Sequence, residues 1–468
     1  MANKMPVQTI LGDRIESGDY RDALPVNYYV VAREVRGSSG YLINQPGLKK
    51  LGDTTGVDRG GFYSAKFEIH FRIAGTDLLS IASDGSTTVL GEIPGSLQVR
   101  MAESFNNFAV LANGLLFYWN PTDGFRQITD PNLGDPVDFC WIKGVLFFTD
   151  GENLYHTTLL DEEVINPLDF ATSEISPDPT VSVNRTKENQ VIVGDTHTFS
   201  YFYFSGGENF AFTPIDGRSV KSGVISPQAI AELEGQWFYI GGRDEESLFV
   251  YQAYGTDHPK ISTREIDKIL ASYSTEELQT ASIESRAQDG YYFLHINLPN
   301  DTLMFNYTIA KLLGSGLAWT RLKTSENTDD GWRGINGIFD KNVNMWVYGD
   351  RFAPQVGTLD NTISTLYEEK TEFIFYTPFI SLEGMSINQA MIKTIPGFSP
   401  GKATVAMSLT YDGETYGKEW WAEYSEKNKR DLRFSPNRLG NVDDYVSFKF
   451  RTVTDSLLNF GSLVIDYG

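Results

Sequence analysis

One unit recurs along most of the chain: an apolar strand, a tight turn, a second apolar strand, then a looser connection. "HFRIAGTDLLSIASDG" opens it at His70, "FAVLANGLLFYW" at Phe108 and "FCWIKGVLFF" at Phe139. "VIVGDTHTFSYFYF" follows from Val191 and "WFYIGGRDEESLFVYQ" from Trp237. "YYFLHINLPNDTLMFNY" starts at Tyr291 and "INGIFDKNVNMWVYGD" at Ile335. Successive starts lie 38, 31, 52, 46, 54 and 44 residues apart. Each unit carries Asn113-Gly114 or a comparable pair between its strands, the local signal of a hairpin. Hairpins repeating every ~40–50 residues are the pattern of propeller blades. The expectation is therefore an all-β fold with a six- or seven-bladed β-propeller, since one unit could be an outer hairpin. Radial closure also removes most open strand edges.

One stretch breaks the pattern. "ISTREIDKILASYSTEELQ", residues 261–279, reads as helix, with Ser262/Glu265 and Ser274/Glu277 as capping boxes. Ile266, Ile269 and Leu270 fall on one helical face. A helical connector over 262–284, packed on the propeller by that face, accounts for it without a catalytic insertion. Past residue 370 the blade period is lost. "TEFIFYTPFISL", "QAMIKTIP", "TVAMSLTYDG", "YVSFKFRTV" and "GSLVIDYG" alternate between Gly/Pro turns. They predict a C-terminal β-sandwich-like domain over 371–468. The propeller is assigned to 66–370. Residues 1–65, punctuated by Gly and Pro, read as an N-terminal arm packed on the propeller.

Composition fits many short strands: 13% aromatic, with 43 Gly in 468 residues. The net charge of −22 excludes a protein that wraps DNA or docks on an anionic membrane through a basic surface. It leaves open a wall along which DNA slides. The one cysteine, Cys140, sits in apolar "VDFCWI" and reads as a small buried hydrophobe. No intrachain disulfide is then needed, which fits folding in a cytoplasm. The opening residues lack the apolar core of a signal peptide, and no apolar run reaches the ~18 residues of a membrane span.

Candidate chemistry is sparse. "SDGSTT" at Ser83 and "YDGETYG" at Tyr411 look like Asp-box turns. Asp capping its own turn, with Gly at positive φ, explains them equally well, as it does Asp123-Gly124 and Asp150-Gly151. A glycosidase needs two carboxylates flanking one bond, and 61 acidic residues single out no pair. His70, His156, His197, His258 and His295 are too far apart in sequence for a local metal motif. No nucleotide loop and no GxSxG elbow occurs. "EKNKRDLRFSPNR", residues 426–438, is the densest basic stretch, either a solvated loop or a docking patch for an acidic neighbour. Acidic runs at Asp244-Glu245-Glu246 and Asp329-Asp330 read as loop solvation. No catalytic residue, cofactor or metal ligand is assigned. A propeller glycosidase or a carbohydrate-binding adhesin stands as the alternative function.

Several ordered stretches carry a resemblance. They are "DALPVN" at Asp22, "SSGYL" at Ser38, "QPG" at Gln45, "KILASYSTEEL" at Lys268 and "LPNDTLMFNY" at Leu298. "TPFI", "TYDGETYGKE" and "VSFKFRTVTDS" extend them to the end. In this order the chain resembles the packaged-DNA stabilisation proteins of short-tailed phages, the tail hub or nozzle. The resemblance implies a non-enzymatic virion protein forming a homo-hexamer ring below the portal-adaptor protein. It further implies contacts with a tailspike or tail fibre and with a tail needle or plug. Genomic DNA would pass through the lumen without sequence-specific binding, and no membrane insertion is expected. Screening confines a charged wall's field to about 8 Å, so only lumen-facing acids would act on that DNA.

Overall fold

The computed structural model describes residues 3–7, 24–34, 39–159, 161–173, 178–207, 210–394, 402–425 and 434–468. Seven antiparallel sheets follow one another along the chain. Blade 1 runs from Asp58–Ser64 through Thr87–Glu92, and blade 2 from Arg100–Glu103 through Gly124–Gln127. Blade 3 spans Asp138–Ile142 to Ile165–Thr172, and blade 4 spans Thr180–Arg185 to Phe212–Pro214. Blade 5 has three strands, Ile230–Leu233, Gln236–Gly241 and Phe249–Ala253. Blade 6 runs from Ser282–Gln288 to Trp319–Leu322, and blade 7 begins at Gly334–Asp340. The seven units read from the sequence correspond one to one with these blades, so none is an outer hairpin.

The local chemistry explains the hairpins. Asn113-Gly114, Lys143-Gly144, Glu234-Gly235 and Asp289-Gly290 all turn with both residues at positive φ. That is the conformation whose twist matches paired strands. Between these turns lie strands such as Phe108–Ala112 and Val145–Thr149, buried along their whole length. They are covered on both faces by neighbouring blades.

Blade 7 lacks a fourth strand from its own stretch of chain. Gly47–Asp53 supplies it, pairing with Gln355–Asp360 from Asp53↔Gln355 to Gly47↔Asp360. The chain then passes directly into blade 1 at Asp58. Residues more than 300 apart thereby close the ring by hydrogen bonds. The closure is tight: a Cβ on Gly52 would stand 2.0 Å from the Gly85 carbonyl oxygen in blade 1.

Two further sheets form the sandwich. One has the order Tyr28–Val31, Tyr41–Asn44, Asn459–Tyr467, Met385–Thr394, Asn437–Val442, and Asn3–Val7 also pairs with Asn459–Tyr467. The other has the order Thr371–Tyr376, Tyr445–Thr454, Ala403–Thr410, Trp420–Ser425, with Ile380–Ser381 beside Tyr445–Thr454. The expected 1–65 arm is thus corrected. Its described strands are integral parts of both domains: three sit in the sandwich, one closes blade 7 and one opens blade 1.

The helical connector is real but shorter than expected, because blade 6 starts at Ser282. It holds α1 (Arg264–Leu270) and α2 (Thr275–Leu278). Ser274 and Glu277 form the capping box. Ser262 does not; Thr263 is the N-cap of α1, and the Ser262 hydroxyl donates to Asp267 instead. Ile266 and Leu270 are buried, and Ile269 packs beside them.

Propeller and sandwich share one core, running from Ile192, Phe238 and Leu294 to Phe373, Phe450 and Phe460. The segment between them is residues 25–28, where Val26 bridges both domains just before the strand Tyr28–Val31. Val26 N donates to Ile374 O of the sandwich (2.8 Å), and Asn27 N donates to Arg321 O of blade 6 (2.9 Å). Asn27 is buried at φ 57. Its amide nitrogen donates to Lys323 O and Glu372 O, and its amide oxygen accepts from Lys323 N. Tyr28 then packs against Phe373, Phe375 and Phe460. Around this seam Glu372 binds Lys323 (3.2 Å) and Arg451 (3.2 Å).

Asn27→Ala is expected to destabilise the chain by about 2–4 kcal/mol, since it orphans buried main-chain groups and strains a left-handed residue. Asn27→Gly, which tolerates positive φ, should recover about 1 kcal/mol of that loss. Urea unfolding midpoints of the two variants check both statements.

Candidate functional site

The first strands of the blades line the propeller axis. Between them lies a cavity of about 210 Å³, walled by Gln98, Arg100, Gln228, Ser282, Glu284 and Asn336 among others. Charged groups concentrate here and at the seam where blade 1 meets blade 7. They are delivered by alternation. In "HFRIA", His70 and Arg72 point to one face of a strand while Phe71 and Ile73 fill the other.

Across the seam runs a buried relay. His70 Nδ1 donates to Asp340 Oδ2 of blade 7 (2.8 Å), because His70 Nε2 accepts from Arg72 Nε (3.2 Å). Arg72 Nη1 donates to Asp58 Oδ2 (2.8 Å), and Asn336 Nδ2 donates to Asp58 Oδ1 (2.8 Å). Arg72 Nη2 also reaches the carbonyls of Asn336 and Val347. From blade 6, Glu284 accepts from Asn297 Nδ2 (2.7 Å) and from the Gly337 backbone N–H of blade 7. On the other side of the axis Arg100 donates to Asp138 (2.6 Å) and Asn184 (2.9 Å), tying blade 2 to blades 3 and 4.

These environments set the protonation states. Burial, with Arg72 adding to it, pulls His70 down to about 4, so it is neutral at physiological pH. Burial pushes the Asp58 carboxyl up, and Arg72 opposes that shift. Burial likewise raises Glu284. For Asp340 burial acts upward too, but donation from His70 and the Asn342 backbone outweighs it and holds the carboxyl below its ordinary value.

The cluster looks like acid–base machinery and is wired as a brace. Both oxygens of Asp58, Asp340 and Glu284 are occupied by protein donors. No pair is left to flank a glycosidic bond. The Asp-box-like turns are self-contained. Asp84 accepts from Ser86, and Asp412 accepts from the Glu414 and Thr415 backbones, which hold its carboxyl far below the usual range. His156 bonds the Thr157 carbonyl and the Ala211 N–H, His258 bonds Tyr239, and His295 is buried beside Trp332 and Tyr348. Among the described residues no three His, Cys, Asp or Glu side chains converge as a metal site. Among the described residues no helix is long and apolar enough to cross a membrane. Cys140 is buried, and burial raises its thiol. Asp329 takes part in an ion pair with Lys323 (2.9 Å), so it does more than solvate a loop. Residues 426–433 of the basic stretch lie outside the described residues.

The axial cluster was missed in the sequence reading. Its one signal was a His and an Arg two residues apart inside an otherwise apolar strand.

Two family models match the chain: "Bacteriophage P22 Gp10, beta-propeller" over residues 4–364 and "Bacteriophage P22 Gp10, beta-sandwich" over residues 372–468. The tail hub protein gp10 of Salmonella phage P22 is 26% identical over 472 residues, covering 97% of each chain. Among solved structures, virginiamycin B lyase from Staphylococcus aureus matches 67% of this chain and 98% of its own (12% identity, TM-score 0.44). The Neurospora crassa Pan2 WD40 domain matches 68% and 97% (8% identity, TM-score 0.45). These two likenesses are too slight to bear on function.

Asp58→Asn is expected to cost about 3–5 kcal/mol, because it leaves Arg72 buried without its counter-charge. For His70 the folded chain binds fewer protons than the unfolded chain between pH 6.5 and 4. Its contribution is full above about pH 6.5 and is lost as pH falls through that window. His70→Gln should therefore lose about 3 kcal/mol less than the parent between those pH values. Denaturant titrations of both proteins at each pH measure the difference.

Two domain matches that together run from residue 4 to residue 468 lead to one assignment: the chain belongs to the bacteriophage P22 Gp10 family and is a structural tail hub protein of the virion.

Proposed function

We propose that six copies form a ring below the portal-adaptor, extend the channel through which DNA leaves, and help retain the packaged genome. The observation that carries this reading is mechanical. Propeller and sandwich are locked by a shared core and the connecting segment 25–28, and the propeller axis holds only a cavity of about 210 Å³ between braced side chains. Such a unit is a rigid block with no passage for a duplex through itself, so the conduit lies between copies. A head-to-tail arrangement of identical blocks closes into a ring when its rotation fits. Acidic side chains on the inner wall would repel phosphates and let DNA slide. The outer surface would anchor a tailspike or tail fibre, and the lower rim the tail needle or plug. Synthesis and assembly would take place in the bacterial host cytoplasm.

The test is electron microscopy of the full chain mixed with its phage's portal–adaptor complex. The expected result is a six-fold collar below the adaptor. A collar with another copy number removes the hexamer, and no binding at micromolar concentration removes the placement. Particles assembled without the protein should also release their DNA to added nuclease, whereas complete particles protect it.

A further inference from the structure

We infer that neighbouring copies in the ring meet head to tail, an aromatic platform on blades 2 and 3 of one copy receiving the acidic tip of the sandwich of the next. This rests on the ring reading above and adds the surfaces that make it.

The platform is built around Phe105. Its loop, residues 103–107, joins the first two strands of blade 2. Glu162 of blade 3 is buried beneath it and accepts from Ser104 Oγ (2.6 Å), Asn107 Nδ2 (2.8 Å) and Asn106 Nδ2 (3.4 Å). On the other side blade 1 contributes Ser64, which donates to Glu103, and Lys66, whose ammonium donates to the Phe105 carbonyl. A buried carboxylate is tolerated only when hydrogen-bonded. Here all three side-chain donors come from one loop, so the loop is fixed. Yet its tip holds Phe105 in water at 69% exposure. Trp141 meets it edge-on at 5.2 Å, and Leu159, 58% exposed, lies across Gly144 from it. A rigid exposed aromatic with apolar neighbours is a preorganised anchor for a protein partner. Lys66 and Lys143 flank it, both exposed, on a chain of net charge −22.

The partner surface is on the same chain. Two sandwich turns, 382–384 and 442–444, are tied by Leu382 N to Asp444 O (2.9 Å) and Gly384 N to Val442 O (2.7 Å). They expose Glu383, Asp443 and Asp444 around Met385 and Tyr445, which are 39% and 43% exposed. Strand register puts this tip at the sandwich end remote from the propeller. Thr371↔Thr454 lies at the junction, and Ser381↔Tyr445 at the far end. Blades 2 and 3 each stand three places around the ring from blade 6, whose outer strand holds the sandwich. The two patches are therefore at opposite ends of one molecule. Both carry exposed apolar side chains, the exposed Lys66 and Lys143 offer two cations to Glu383, Asp443 and Asp444, and the patches meet only between copies.

Virions carrying Phe105→Cys with Tyr445→Cys test this, since both side chains are exposed and Cys140 is buried. Mild oxidation should give a ladder of covalent hub oligomers from the double variant and none from either single variant. Charge reversal on one side (Lys66→Glu with Lys143→Glu, or Asp443→Lys with Asp444→Lys) should lower hub incorporation by about 10-fold, and combining the two should restore it. Dimers from Phe105→Cys alone would mean a two-fold contact and overturn the proposal. So would an intact ring that gives no ladder and ignores both charge reversals. Virions in which hub copies touch no other hub copy would overturn the ring reading itself.

Discussion

Ring closure is the constraint on which the rest depends. Seven sheets arranged about an axis leave a first and a last blade that no covalent bond joins. Here the joint is a single strand, Gly47–Asp53, hydrogen-bonded into blade 7 immediately before the chain starts blade 1. That placement dictates what precedes it. The residues just upstream emerge beside blades 6 and 7, and Tyr28–Val31 and Tyr41–Asn44 can reach only a sheet built there. The sandwich forms against that sheet, so the position of the second domain is a consequence of how the first is closed.

The charged axis makes sense on the same footing. Blades present their inner strands edge to edge, and apolar contact alone sets no spacing or order among seven similar sheets. Directional bonds do. His70, Arg72 and Asp58 reach from blade 1 to Asp340 and Asn336 on blade 7, and Arg100 reaches from blade 2 to blades 3 and 4. Breaking any one partner leaves a buried charge exposed to low dielectric, so the network resists slippage strongly even if its net stabilisation is small. The seam that depends on noncovalent closure carries the densest part of the network.

Much of this was legible in the sequence, for a physical reason. Hairpin turns at positive φ and fully apolar strands are local signals, and a propeller is a sum of local hairpins; hence seven units and seven blades. The fate of residues 24–64 was not legible. "NYYVV" and "GYLIN" look like strands, but nothing within them names a partner hundreds of residues away, and an arm was the nearest reading. The same limit hid the platform. Phe105 sits beside "FAVLA", and only the fold reveals that it faces water while Glu162, 55 residues from Asn107, is buried to hold it. The second capping box was correct because Ser274 and Glu277 answer each other locally. The first was not, because the nearby Asp267 competes for the Ser262 hydroxyl.

The interleaving of early and late strands also governs when the protein becomes a protein. Leu458 bonds Asn44 across 414 positions of sequence, and Phe460 pairs with Leu42. While the ribosome is still working, the blades can form as they emerge and the ring can close once Gln355–Asp360 is out, but the sandwich cannot be completed. The early pair Tyr28–Val31 and Tyr41–Asn44 must wait, with one edge open, for a partner made last. Contacts of such long separation form slowly and leave edges open meanwhile. A chain cut short by nonsense or nuclease therefore lacks the partner of its own first strands and has no completed sandwich.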